Sequence, residues 1–179
     1  TTLCIFFNAC HNSNTAPQLQ LADSLIDKRA DSALCILEKL SIEEISNKSA
    51  KAMYALLLTE ALDKNFKSHR NDSLILIAVD YYKDNSNNKL KTKAYYLGRV
   101  YQDNKEYIKA TEAYLTALKT ASPNQAPILQ IYNNLALCYE SQEFYLPAIK
   151  TYKESYATAE KMQDKYGILH ATRGLGNVY

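Results

Sequence analysis

The feature that most restricts the fold of this chain is a recurrence. Leu97, Gly98 and Tyr101 return 38 residues later as Leu135, Ala136 and Tyr139, and 40 residues after that as Leu175, Gly176 and Tyr179. Ala110 and Tyr114 return over the same 38-residue step as Ala148 and Tyr152. A period of this size is one supersecondary unit, too small to bury its own apolar face, so such a chain gains a core only by stacking copies.

Within one period the spacing is helical. Ala94, Leu97, Gly98 and Tyr101 fall at i, i+3, i+4 and i+7, the face of a first helix. Asp103 and Asn104 supply a turn, and Ala110, Tyr114 and Ala117 mark a second helix, which Ser122-Pro123 ends. The small residue (Gly98, Ala136, Gly176) lets paired helices approach, with Ala110 and Ala148 entering that contact. The tyrosines Tyr101, Tyr114, Tyr139, Tyr152 and Tyr179 fill the wedge with hydroxyls at its edge. Only four Gly and four Pro occur, so turns needing φ > 0 are expected to be scarce, which argues against a hairpin-rich sandwich or barrel.

Upstream the pattern loosens. Tyr54, Leu57, Leu58 and Ala61 share one helical face, and "NDSLILIAVDYYKDN" reads as the partner helix, capped by Asn71 or Asp72. Before it, two short helices break near Lys28-Arg29, with Asp31 capping the second and Leu34, Leu37 and Leu40 along its face. The expected organisation is an N-terminal segment 1–17, a capping helix pair 18–46 and a degenerate repeat 48–88. Two full repeats, 91–123 and 129–163, and the first helix of another, 166–179, follow.

The pattern of small residue, aromatic, Ala and aromatic at these positions resembles the tetratricopeptide repeat. Ala94 and Thr172 stand where the family usually has Trp, and its Pro is displaced to Pro123, which suggests a longer variety of the repeat. The resemblance implies an all-α, right-handed α-α superhelix without cofactor or metal, acting in protein–protein interaction. Its first helices would line a concave groove for a protein or peptide. Carried over, the groove residues are Thr92, Tyr95, Arg99, Gln102 and Asp103 in one unit. Gln130, Asn133, Leu137, Glu140 and Ser141 follow in the next, and His170, Arg173 and Asn177 in the last. Arginine there suits a carboxylate, and Tyr and Arg often dominate interfaces. Chaperone-binding members clamp a C-terminal carboxylate, and only Asn134 matches that clamp, so a chaperone-tail receptor is not expected.

The N-terminus, "TTLCIFFNACHNSNTAP", runs from apolar Leu3–Phe7 through Ala9 to Cys10 and then to a polar stretch. This resembles the end of a bacterial lipoprotein signal, with Cys10 lipidated and the next residues a tether. The whole is similar to repeat-bearing envelope lipoproteins, which implies a lipid-anchored place in the bacterial cell envelope. A cytoplasmic protein with a frayed N-terminus is the alternative. In function, the alternative is the sensor half of a membrane-bound signalling or transcription regulator.

Other chemistry finds little support. Cys4, Cys10, Cys35 and Cys138 include no CxxC, and His11, His69 and His170 are far apart, so no metal site is expected. Cys35 and Cys138 lie in apolar helical patterns and are expected in the core. Glu43-Glu44 reads as solvated charge, and no nucleophile, metalloprotease or phosphate-loop motif occurs, so an enzyme is not expected. Net charge is +2, with Lys89, Lys91 and Lys93 a solvated helix start, which argues against nucleic acid.

Overall fold

Two helices begin at a side chain that accepts from their free amides. The Asn47 side chain accepts from the Ala50 amide at 3.1 Å, opening α3 (Lys48–Lys64). Asp164 accepts from the amides of Tyr166 and Gly167, both at 3.0 Å, opening α9 (Lys165–Val178). Between and before these lie α1 (Ala16–Leu25), α2 (Ala30–Leu37), α4 (Ser73–Tyr82), α5 (Lys89–Asp103), α6 (Tyr107–Thr120), α7 (Pro127–Ser141) and α8 (Tyr145–Met162). A single 3₁₀ turn, Ile42–Glu44, precedes α3, and no strand occurs among the described residues. This computed structural model describes residues 15–69, 72–82, 89–121 and 127–179. The chain is an all-α, right-handed superhelix of antiparallel helix pairs.

Four helix ends share one device. After α3, α5, α7 and α8 the chain passes through Phe66, Lys105, Glu143 and Gln163 at φ between 55° and 61°. The following amide reaches back to a carbonyl five residues earlier: Lys67 to Leu62 at 2.9 Å, Glu106 to Tyr101 at 2.8 Å, Phe144 to Tyr139 at 2.9 Å and Asp164 to Ala159 at 2.9 Å. This bond satisfies otherwise orphaned carbonyls and reverses the chain. The expected scarcity of positive-φ turns is therefore corrected. Such turns exist and are made without glycine, while all four glycines lie within helices, none at positive φ.

The core is a string of clusters rather than one mass. Leu19, Ala22 and Ile26 meet Leu34 and Leu37 of α2 and Tyr54, Leu57 and Ala61 of α3. Ala52, Ala55 and Leu56 of α3 meet Ile75, Ala78 and Tyr82 of α4 and Tyr96 and Val100 of α5. Ala110, Tyr114 and Ala117 of α6 meet Ala94 of α5 and Ile131, Leu135 and Cys138 of α7. Ile128 and Leu129 of α7 close on Ala159 of α8. Each cluster joins neighbours only, as in a solenoid.

Curvature follows from which helices touch. The leading helices pack in succession, α3 on α5, α5 on α7 and α7 on α9, and no comparable packing joins α4 to α6 or α6 to α8 among the described residues. Leading helices therefore form the closer, inner wall.

Two sequence expectations are corrected by the fold. Asp31 lies inside the first turn of α2, where its charge favours the helix N-terminus, and Arg29 holds the cap position. Cys35 is exposed because Ala33, Leu34 and Leu37 take the buried face of this short helix, while Cys138 is buried as expected. Cys4, Cys10, His11, Asn71 and Ser122-Pro123 lie outside the described residues, as do the side chains of Lys89, Lys91, Thr92 and Lys93.

Candidate functional site

The candidate groove rests on a close packing contact between paired helices. A Cβ placed on Gly98 would lie 2.5 Å from Cε1 of the fully buried Tyr114, so only glycine admits the ring at this distance. Ala136, Ala110 and Ala148 are fully buried, and Leu135 and Tyr152 nearly so, while Leu97, Tyr101 and Tyr139 are half-buried. Gly174 of α9 does the same for Tyr152, whose ring would lie 2.3 Å from an added Cβ. The repeat pattern does not mark that contact, since Gly174 sits two residues before the repeating Gly176. Gly176 itself has no neighbour within 4 Å of an added Cβ, Leu175 is half-buried and Tyr179 is exposed.

The tyrosine hydroxyls then capture groups on the leading helices. The Tyr114 hydroxyl donates to Gln102 Oε1 at 2.7 Å, and the Tyr152 hydroxyl donates to Glu140 Oε1. These acceptors stand 12 residues before their tyrosines in both units, so the bond repeats with the fold. Two residues expected to face a partner thus also lock their own hairpins. Burial pushes the phenols of Tyr114 and Tyr152 up and keeps them as donors.

On α5 the other described groove residues, Tyr95, Arg99 and Asp103, are engaged as well. Arg99 Nε donates to Asp63 Oδ1 of α3 at 2.6 Å, and its Nη1 donates to Gln102 Oε1 at 3.3 Å. Its Nη2 lies 3.8 Å from Asp103 Oδ1. The other oxygen of Asp103 faces His69, with Nδ1 at 2.8 Å and the His69 amide at 3.2 Å. His69 is buried, and its Nε2 lies 3.2 Å from the Thr59 carbonyl. Tyr95 accepts from Asn134 Nδ2 at 3.4 Å and stacks edge-on to Tyr96 at 5.0 Å. Burial pushes its phenol up to about 12, with Asp63 adding to the rise. Burial likewise pushes the Cys138 thiol up to about 12, which leaves it protonated and inert.

Beyond α5 the wall opens. Asn133 accepts from Ser155 Oγ at 3.0 Å. Gln130, Leu137 and Ser141 on α7 are exposed, as are His170, Arg173 and Asn177 on α9.

Residues 91–161 match the sequence profile of the tetratricopeptide repeat. Two solved structures of a Podosopora anserina protein, described as a kinesin light chain with nearly identical TPR-like repeats, align with 17% identity. They cover 94% of this chain and 86% and 87% of theirs, at TM-scores of 0.68 and 0.67. Over residues 91–161 this chain is similar to the tetratricopeptide-repeat family. MamA of AMB-1 aligns at TM-score 0.58 and 16% identity, over 92% of this chain and 98% of that one. No curated protein matches the chain in sequence. At these identities the likeness to solved structures is one of fold, and the tetratricopeptide-repeat fold is that of a protein-interaction scaffold.

Proposed function

We propose that this protein binds an extended or helical peptide of a protein partner along its leading helices, with contact centred on α7 and α9. The observation that carries this reading is the division of the wall. On α5 Arg99, Gln102 and Asp103 are held by intrachain bonds, whereas Leu137, Gln130, His170, Arg173 and Asn177 are exposed on the next two leading helices. Leu137, 42% exposed, offers an apolar contact. Arg173 offers a bidentate donor, so the favoured peptide carries a carboxylate beside an apolar side chain.

Peptides selected from a random library on the immobilised protein test this. Leu137→Glu and Arg173→Glu are each expected to weaken them about tenfold or more, the loss of a central contact. Ile108→Glu and Leu146→Glu, at the exposed starts of α6 and α8, are expected to leave binding unchanged. The reverse pattern would overturn the reading.

We place the protein in the bacterial cell envelope, anchored by lipid on Cys10. The support is the order of apolar run, small residue, Cys10 and polar tether in the sequence. Labelled palmitate should enter the wild type in cells and not Cys10→Ala. Equal labelling of both would remove the anchor.

A further inference from the structure

We propose that His69 is a proton-operated latch across the joint between α3 and α5. Its Nδ1 faces the Asp103 carboxylate at 2.8 Å and its Nε2 faces the Thr59 carbonyl at 3.2 Å. Both partners only accept. A neutral imidazole carries one N–H and can satisfy one of them, whereas the imidazolium donates to both. The residue is only 4% exposed, so water cannot readily replace the lost bond.

The place of His69 in the fold makes this a joint rather than a local detail. The paired helices α5–α6 and α7–α8 are separated only by their turns, 104–106 and 142–144, whereas residues 65–72 lie between α3 and α4. His69, in that longer connection, bonds backward to α3 and forward to α5, across 10 and 34 residues. From α5 it is faced by Asp103, which lies beside Arg99, and Arg99 is bound in turn to Asp63 of α3. Glu60 on α3 is paired with Lys64, and Asp72 acts on Tyr101 and Lys109. With the ring charged, His69, Asp103, Arg99 and Asp63 alternate in sign and balance. When the ring loses its proton, one carboxylate is left in excess and one bond to the joint is broken.

The test is an NMR titration of the intact chain from about pH 5 to about pH 8, the span over which imidazoles change charge. At the acid end both His69 ring nitrogens should carry protons, and one should lose its proton as pH rises. The protection of the His69 amide against hydrogen exchange should then fall about tenfold, the size of one hydrogen bond. In Asp103→Asn one uncharged amide oxygen takes the place of Oδ2 against both the ring and the His69 amide, and no carboxylate is left there to pair with a charged ring. Protection there should no longer depend on ring charge. A His69 ring that keeps one protonation state throughout would overturn the latch, as would an equal fall in protection in Asp103→Asn. If that variant does not fold, the wild-type titration decides alone, with exposed His170 as the internal reference.

Discussion

Gly98 and Gly176 hold equivalent places in the repeat and meet opposite surroundings. An alanine methyl at 98 would lie 2.5 Å from the Tyr114 ring, and one at 176 would meet nothing within 4 Å. Helix propensity favours alanine over glycine by about 1 kcal/mol at interior positions, while overpacking a filled core costs about 1–3 kcal/mol. With the Tyr114 ring at 2.5 Å the overpacking falls at the upper end, so Gly98→Ala is expected to destabilise by about 2 kcal/mol and Gly176→Ala to stabilise by about 0.5 kcal/mol. Urea denaturation of the two variants measures both signs. A neutral or stabilising Gly98→Ala would mean that Tyr114 does not press on that backbone.

At the scale of elements, two devices hold the hairpins: left-handed turn residues and the ion pair joining α3 to α5. Phe66 is at φ 55° and 99% exposed, so its side chain contributes no packing while its backbone is strained. Phe66→Gly should raise stability by about 1 kcal/mol, the cost of the left-handed region for an L-residue. A lower urea midpoint would count against that turn. Arg99→Leu would leave Asp63, whose side chain is 13% exposed, without its cation. The expected loss is about 2–3 kcal/mol. Lys109→Ala, at the exposed pair with Glu106, should leave the urea midpoint unchanged. Equal effects of the two would show that the Arg99 pair is as screened as a surface one.

The elements also differ in how far they could be read from sequence. Gly98, Ala136, Ala110, Ala148, Tyr114 and Tyr152 were legible because one contact recurs at one interval. The positive-φ turns were not, because Phe66, Lys105, Glu143 and Gln163 share a backbone shape without sharing a side-chain type. Arg99 and Asp103 read as groove residues because the pattern places them on a leading helix. Their engagement with Asp63 and His69, 36 and 34 residues away, obeys no period and required the fold. Gly174 was hidden for a related reason: its contact is with the preceding hairpin, not within its own.

For the molecule as a whole, the decisive property is a curved stack with leading helices on the inside. Every further reading of the wall, including the peptide proposed for α7 and α9, depends on that curvature. Leu137 and Asn177 occupy equivalent leading positions in successive units, and Thr116 and Glu154 occupy equivalent trailing ones, 38 residues apart. Paired spin labels at each set, in a background with the native cysteines replaced, compare the inner and outer spacings directly. The shorter distance is expected between positions 137 and 177, and the longer between 116 and 154. Equal distances, or a shorter one on the trailing helices, would contradict the inner wall.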